Sequence, residues 1–342
     1  MRIPLVSATA FLASAAVGLL AGCSGSGPSS SVSSLPGTMN SSTQSRVHSS
    51  FGRDGSGVAP QYLQFVHFGH TAARAATGTP PGDVAVTDFS TNNIEVLNSS
   101  YQLEQTITDG GGPDGDWYDA LENLYVANYS AVSVTQYKHD ATTPDFTYTS
   151  GLSDPINVRT DAKGNVYVAD YGFGSASVVV EYPPMTNTPS NSCNTGLANE
   201  GLAIDKAGNV FVSGNNSAGS ANIVEYKGGL SGCHATTLPP TLSFSGGMTI
   251  DKHGTLIVED QTNHAVDLIK KPYHSISGTC GSGYSDPFHV AINGPQNLLF
   301  VADLGTATVD VLNYPACTLN TTLTSANGFT SPAGVAVTIK KQ

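Results

Sequence analysis

Charge is scarce in this chain. Asp, Glu, Lys and Arg make up 12% of its 342 residues, and 14 basic residues face 26 acidic ones. The formal net charge of −12 argues against nucleic acid as a partner, because a polyanion needs a basic footprint. No Gly-Lys-Ser/Thr phosphate loop, nucleophile elbow or His-Glu-x-x-His motif occurs. Their absence removes the most readable signatures of phosphoryl transfer, acyl transfer and zinc hydrolysis. No Cys-x-x-Cys spacing exists either, which weakens a zinc site. The main apolar run, Ala8–Leu20, falls short of the ~20 residues a spanning helix needs. A helical period is missing from the repeated part of the chain.

The first residues supply an address. A basic start at Arg2, the apolar run and small residues before Cys23 read as a secretory signal over residues 1–22. The ending Leu20-Ala21-Gly22-Cys23 resembles a bacterial lipobox, which implies acylation of Cys23 as the new N-terminus. An ordinary signal cut nearby is the alternative. Ser24 follows, and resemblance to lipoproteins of double-membraned bacteria then favours the outer membrane. The expected setting is the cell envelope, with the domain in the periplasm or at the cell surface. Residues 23–60 are rich in Ser, Gly and Pro, too polar to offset their own ordering entropy, and are expected to form a disordered tether. Residues 61–342 form the expected globular domain, a monomer. Its apolar stretch Tyr62–His70 is open to two readings, an added outer strand or a plug on one face.

That domain is repetitive. The phrase Val-Tyr-Val-Ala-Asp at Val166–Asp170 has counterparts at Val84, Leu124, Val210, Leu256 and Leu299, offset by 40, 42, 44, 46 and 43 residues. A period of this size marks stacked supersecondary units. Asp205-Lys-Ala-Gly-Asn209 and Asp251-Lys-His-Gly-Thr255 sit between β-branched runs as hairpin turns. Four short strands per repeat and six repeats predict an all-β, six-bladed β-propeller. The first repeat, at Asp83, lacks an innermost strand, and Pro332–Thr338 is an innermost strand with no blade behind it. Joining them closes the ring and removes its free edges.

The pattern Pro-x-Gly-[apolar]-Ala-[Val/Ile]-Asp-x-x-Gly-Asn-[apolar]-Tyr-Val-Ala-Asp, over about residues 82–340, resembles the NHL repeat and, more broadly, the SMP-30/gluconolactonase-like propellers. The resemblance implies the fold and leaves function open, because that superfamily holds lactonases, lyases, carbohydrate binders and interaction scaffolds. The Glu-x-His of streptogramin-lyase-like propellers is missing here. Glu200, Asn157 and Asp114 match the metal-holding residue types of the SMP-30 hydrolases without forming a confirmed motif, so a divalent cation is a possible cofactor.

Candidate site residues are those that break the repeat. The third position of the innermost strand is Gly115, Gly201, Gly247 and Gly334 in four blades, but Asn157 and His289 in the other two. The second position is acidic at Asp114 and Glu200. Convergence of these four at one channel mouth would suit a cation or a general base; the alternative is capping of turn amides. Two positions beyond the glycines, adjacent blades carry Trp117 and Arg159 where the others carry small residues. They could stack as a cation–π pair and offer a guanidinium to an anion, or Arg159 could be satisfied internally by Asp116, Asp119 or Asp161. The acids Asp88, Asp170, Asp260 and Asp303 and the tyrosines Tyr137, Tyr182, Tyr226 and Tyr314 recur too regularly to be a site, and are expected to cap and to pack.

Cys193, Cys233, Cys280 and Cys317 lie at equivalent places in consecutive repeats, so neighbour disulfides Cys193–Cys233 and Cys280–Cys317 are plausible among three possible pairings. Two functions remain in view. One is a lipid-anchored binding or scaffold module for protein or glycan, with a small soluble ligand as a variant. The other is a metal-assisted hydrolase or lyase using Glu200, Asp114, Asn157 and His289, with Arg159 orienting an anionic substrate.

Overall fold

The computed structural model describes residues 82–172 and 177–338. The signal, Cys23, the tether and Tyr62–His70 lie outside the described residues. Twenty-four strands, β1 to β24 in chain order, form six four-stranded antiparallel sheets. Each sheet is one blade of a propeller. The innermost strands are β4 (Pro113–Tyr118), β8 (Pro155–Thr160), β12 (Ala198–Ile204), β16 (Ser245–Ile250), β20 (Pro287–Ile292) and β24 (Pro332–Val337). Blade one is closed by both ends of the domain: β24 pairs with β1 (Val84–Asp88), with Val84 opposite Val337. Outside the sheet, the Thr338 amide donates to the Asp83 carbonyl at 3.0 Å and the Asp83 amide to Thr338 Oγ1 at 2.9 Å.

The second strands are buried on both sides, as in Val166–Asp170, because each blade is covered by two neighbours. An alternating polar face would have nowhere to go, which explains the continuous apolar runs. Apolar clusters fill the gaps: Val86, Phe300 and Val335 between blades six and one, and Leu202, Val212 and Val179 between blades three and four. The recurrent tyrosines belong to this framework. Tyr137, Tyr182 and Tyr226 are fully buried, and Tyr182 Oη donates to the Ser150 carbonyl at 2.7 Å.

Antiparallel order sorts the loops onto two faces. Inner strands begin at the upper face, which also carries the turns between second and third strands. Turns joining first to second and third to fourth strands make the lower face, where both ends of the domain also lie. On the lower face Asp205 Oδ1 accepts from the Ala207 and Asn209 amides, and Gly208 supplies the positive φ of 80° that closes the turn. On the upper face Asp170 accepts from the Ser153 and Asp154 amides, Asp303 from Ser285 and Asp286, and Asp88 from Thr330. Each acid thus pins the loop that leads into its own blade's inner strand, an unambiguous capping role.

The glycines at the third inner position answer to crowding at the axis. A Cβ on Gly201 would lie 2.8 Å from both the Gly246 carbonyl and Met248 Cβ of the next blade. Gly201→Ala should therefore cost about 1–3 kcal/mol as overpacking. Gly278→Ala, where a Cβ meets open space, should stay within ~0.5 kcal/mol. Urea titrations of both variants check this; an unchanged midpoint for Gly201→Ala would remove the crowding argument.

Candidate functional site

The two blades that depart from glycine are spaced so that the departure fits. Asn157 stands between Gly115 and Gly201, and His289 between Gly247 and Gly334, counted around the ring. A Cβ on Gly115 would sit 3.1 Å from Asn157 Cα, and one on Gly247 would sit 2.9 Å from His289 Cα. Each large residue takes the room its neighbours leave.

Arg159 reaches from blade three to the axis. Its Nη1 donates to Asn157 Oδ1 and the Val158 carbonyl, both at 2.7 Å, and to the Asp116 carbonyl at 3.3 Å. Its Nη2 donates to the Met248 carbonyl of blade five at 2.9 Å and lies 3.5 Å from His289 Nε2 of blade six. The guanidinium carbon is 4.9 Å from the centre of the Trp117 ring, whose Nε1 donates to Thr160 Oγ1 at 3.0 Å. One side chain therefore ties blades two, three, five and six together and fills the axis. Only 3% of Arg159 is exposed, so it offers no open guanidinium to a ligand. Asp119 and Asp161, considered from sequence as its partners, instead cap their own turns.

The imidazole of His289 is held on both sides: Nε2 lies 3.5 Å from Arg159 Nη2, and Nδ1 faces Val335, 3.2 Å from its carbonyl and 3.1 Å from its amide, which donates to it. Burial, and then the Arg159 charge, push His289 well below its ordinary pKa, so it stays neutral. Burial likewise lowers Arg159 to about 10 against the pull of Asp116 and Glu259.

Four carboxyl groups surround this centre. Asp116 is fully buried, and burial raises its pKa well above the usual range, while the Arg159 charge acts the other way. Neither of its oxygens has a hydrogen-bond partner; Oδ1 lies 3.9 Å from His289 Nδ1. Glu259 is also fully buried, with one oxygen accepting from the Gly247 amide at 3.1 Å and the other without a partner. Burial raises it well above the usual range. Asp114 and Glu200, nearer the upper face, are raised by burial too; the Asp114 charge adds to the effect on Glu200, whose Oε1 accepts from Asn215 Nδ2 at 3.3 Å. Asp286 joins them at the upper rim, raised to about 7 by burial and by Asp303.

The residues suspected from sequence thus divide. Trp117, Asn157, Arg159 and His289 meet at the axis, with Asp114 and Glu200 within each other's electrostatic reach. As metal ligands Asp114, Asn157 and Glu200 fit poorly. The Asn157 amide is engaged at both ends, accepting from Arg159 and donating through Nδ2 to the Glu200 carbonyl at 3.3 Å. Among the described residues no three His, Cys, Asp or Glu side chains come together so as to hold a metal ion. Cys193–Cys233 and Cys280–Cys317 are joined as disulfides.

Sequence reasoning raised Asp116 only as a partner for Arg159, and passed over Glu259 and Asp286. Two carried a signal. Asp116 stands in the inner-strand column otherwise filled by Val158, Leu202, Met248, Val290 and Val335. Glu259 stands where other blades carry Thr87, Ala127, Ala169, Ser213 and Ala302. Asp286 had none, since Asp154 occupies the same place in blade three.

The raised carboxyls make a pH prediction. An acid with a raised pKa in the folded state binds its proton more tightly folded than unfolded, so its stabilisation fades as pH rises from the unfolded value towards the folded one. For Asp286 the window runs from 3.8 to about 7. Asp286→Asn should flatten the melting temperature against pH across that window. Parallel curves for wild type and variant would show that Asp286 titrates normally.

No family model matches the sequence, and no curated protein does. Solved structures do resemble the fold. A chain in the crystal structure of a nidogen/laminin complex superposes with a TM-score of 0.63 at 17% identity, covering 76% of this chain and 99% of its own. A protein of unknown function from Bacteroides caccae gives 0.59 at 14% identity, covering 76% of this chain and 100% of its own. A functionally unknown protein from Desulfotomaculum acetoxidans gives 0.56 at 12%, with the same coverage. At such identities the likeness establishes the six-bladed architecture and nothing about chemistry.

Proposed function

We propose that this propeller is a binding or scaffold module of the bacterial cell envelope, lipid-anchored through Cys23 and engaging protein or glycan at its upper face. The observation that carries this reading is the closed axis. Arg159 fills it, and Asp114, Asn157, Glu200 and His289 are each at least nine-tenths buried, so a partner is met by a face rather than by a deep cleft. The upper face supports it chemically: Asp286, only partly buried at the rim and raised to about 7 by burial and by Asp303, can when protonated donate a hydrogen bond to a carbonyl or hydroxyl oxygen. A similar chain solved within a nidogen/laminin complex accords with a protein partner.

Two experiments test the reading. Metabolic labelling with an alkyne fatty acid should mark the wild-type chain and not Cys23→Ser; equal labelling would remove the anchor. A photo-crosslinking residue at Val132, exposed on the upper face, should give a saturable adduct with one envelope component, competed by unlabelled protein. Substrate turnover lost in Glu200→Gln would instead make the protein an enzyme.

A further inference from the structure

The lower face has a composition of its own. Every lysine among the described residues lies there. Lys163, Lys206 and Lys252 are in turns between first and second strands, while Lys227, Lys270 and Lys271 are in turns between third and fourth. All six are exposed and belong to blades three, four and five, forming a continuous crescent. The two sets of turns touch, as where Lys271 Nζ lies 3.6 Å from Asp205 and the Gly228 amide donates to Asn209 Oδ1 at 2.9 Å. The seventh, Lys138 of blade two, is paired with Asp145 at 2.8 Å beside Glu122 and Asp140, so blade two is excluded from the crescent.

The acids of the crescent are turned inwards. Asp161, Asp205 and Asp251 each accept amides of their own turns, and Glu225 is buried, although Lys271 pairs with Asp205 at 3.6 Å and Lys227 with Glu225 at 4.0 Å. Among the described residues Lys163, Lys206, Lys252 and Lys270 stand in no ion pair, and their ammonium groups on long stems form its outermost layer. Apolar side chains project between them: Met185 is 46% exposed in the turn of blade three, and Ile276 is 39% exposed in the turn of blade five. Elsewhere on this side Leu121 is 79% exposed, and Leu103 and Leu319 are exposed where outer strands leave the lower face. Val132 is the one large exposed apolar residue of the described set on the upper side.

The overall acidity of the chain does not cancel this surface. Strands of five or six residues hold the two faces about 17–20 Å apart. That is roughly two Debye lengths at physiological salt, so each face presents its own charge. The polypeptide also enters at Gly82 and leaves at Thr338 on the lower side, so any anchor at Cys23 pulls from there.

We propose that the lower crescent is a membrane-docking face for anionic phospholipid headgroups, with the lysines pairing to phosphates and Met185 and Ile276 entering the headgroup layer. This deepens the lipid-anchored reading and rests on it for its setting: the acyl group supplies one membrane signal and the crescent the second, a combination that holds more stably than either alone. The docked domain then turns its upper face away from the bilayer, towards a partner.

The test uses residues 23–342 with Cys23→Ser, so that no acyl chain contributes. Sedimentation with vesicles of mixed phosphatidylglycerol and phosphatidylcholine should recover the protein, and pure phosphatidylcholine vesicles should not. Lys163→Glu with Lys206→Glu and Lys252→Glu should lower partitioning about a hundredfold. Met185→Ser with Ile276→Ser should lower it by a smaller factor, and Val132→Glu should leave it unchanged. Circular dichroism and melting identify any variant that fails to fold, in which case Lys→Gln at the same three sites is the measurement. Binding that ignores phosphatidylglycerol, or a folded triple variant that binds like its parent, would overturn the proposal. Because acylation is read separately on wild type, failure of docking and failure of the anchor give different results.

Discussion

Arg159→Ala should lower the folding stability of the domain by about 3–5 kcal/mol, the usual cost of removing one partner from a buried charged network. For a domain of this size that is a fall of roughly 6–20 °C in melting temperature. Truncation strands the Met248 and Asp116 carbonyls and Asn157 Oδ1, and empties the space beside Trp117 and His289. Arg159→Met separates packing from charge: it restores most of the volume and none of the hydrogen bonds. If lost hydrogen bonds dominate, Met and Ala will be equally destabilised; if the cavity dominates, Met will recover most of the loss. Titration adds a signature. The Arg159 charge lowers the pKa of both His289 and Asp116, so both should rise in the alanine variant, with the His289 change visible by NMR. A melting temperature within a degree or two of wild type would mean that the guanidinium is not the clasp of the axis.

The centre could be built only partly from sequence, for a definable reason. Arg159 and Trp117 stood out because the repeat places them two residues beyond a glycine column where other blades carry small residues, and Asn157 and His289 because they interrupt that column. Closure by β24 was equally legible, since three strands at one end and a single strand at the other have one way to avoid a free edge. Glu259 was hidden for the opposite reason: it lies in the most repetitive strand, as the one odd member of a phrase that otherwise recurs with small residues at that place. Nor could the alignment say that Arg159 would cross to Met248, 89 residues later, because that contact depends on where side chains meet at the axis. The polarity of the faces was present as well. It emerges only when turns are sorted by side, and a net charge of −12 conceals a lysine crescent completely.

The other large effect concerns the outer rim. Cys193–Cys233 joins the outermost strand of blade three to the turn of blade four across 40 residues of sequence, and Cys280–Cys317 joins blades five and six across 37. In the chain-entropy account, closing loops of this length restricts the unfolded chain by about 4 kcal/mol for each bond, a figure that native strain and residual unfolded structure reduce. Replacing Cys193 and Cys233 together with Ala should therefore cost about 2–4 kcal/mol, and the Cys280–Cys317 pair about the same. The four sites lie in two separate interfaces, so the losses should add when both bonds are removed. Exposure distinguishes the two ends of each bond. Cys193 and Cys280 are fully buried, whereas Cys233 is exposed and Cys317 only partly buried, so each bond is approached from the turn side, the first more readily. Single Cys233→Ala and Cys317→Ala variants should then leave a buried thiol unreactive in the native state and titratable only on unfolding. Equal labelling of native and denatured protein would show that the rim opens on its own. Additive losses with protected thiols would mean that the staples secure neighbouring blades at the circumference while Arg159 secures them at the axis, so that a propeller poor in surface charge is held at both radii.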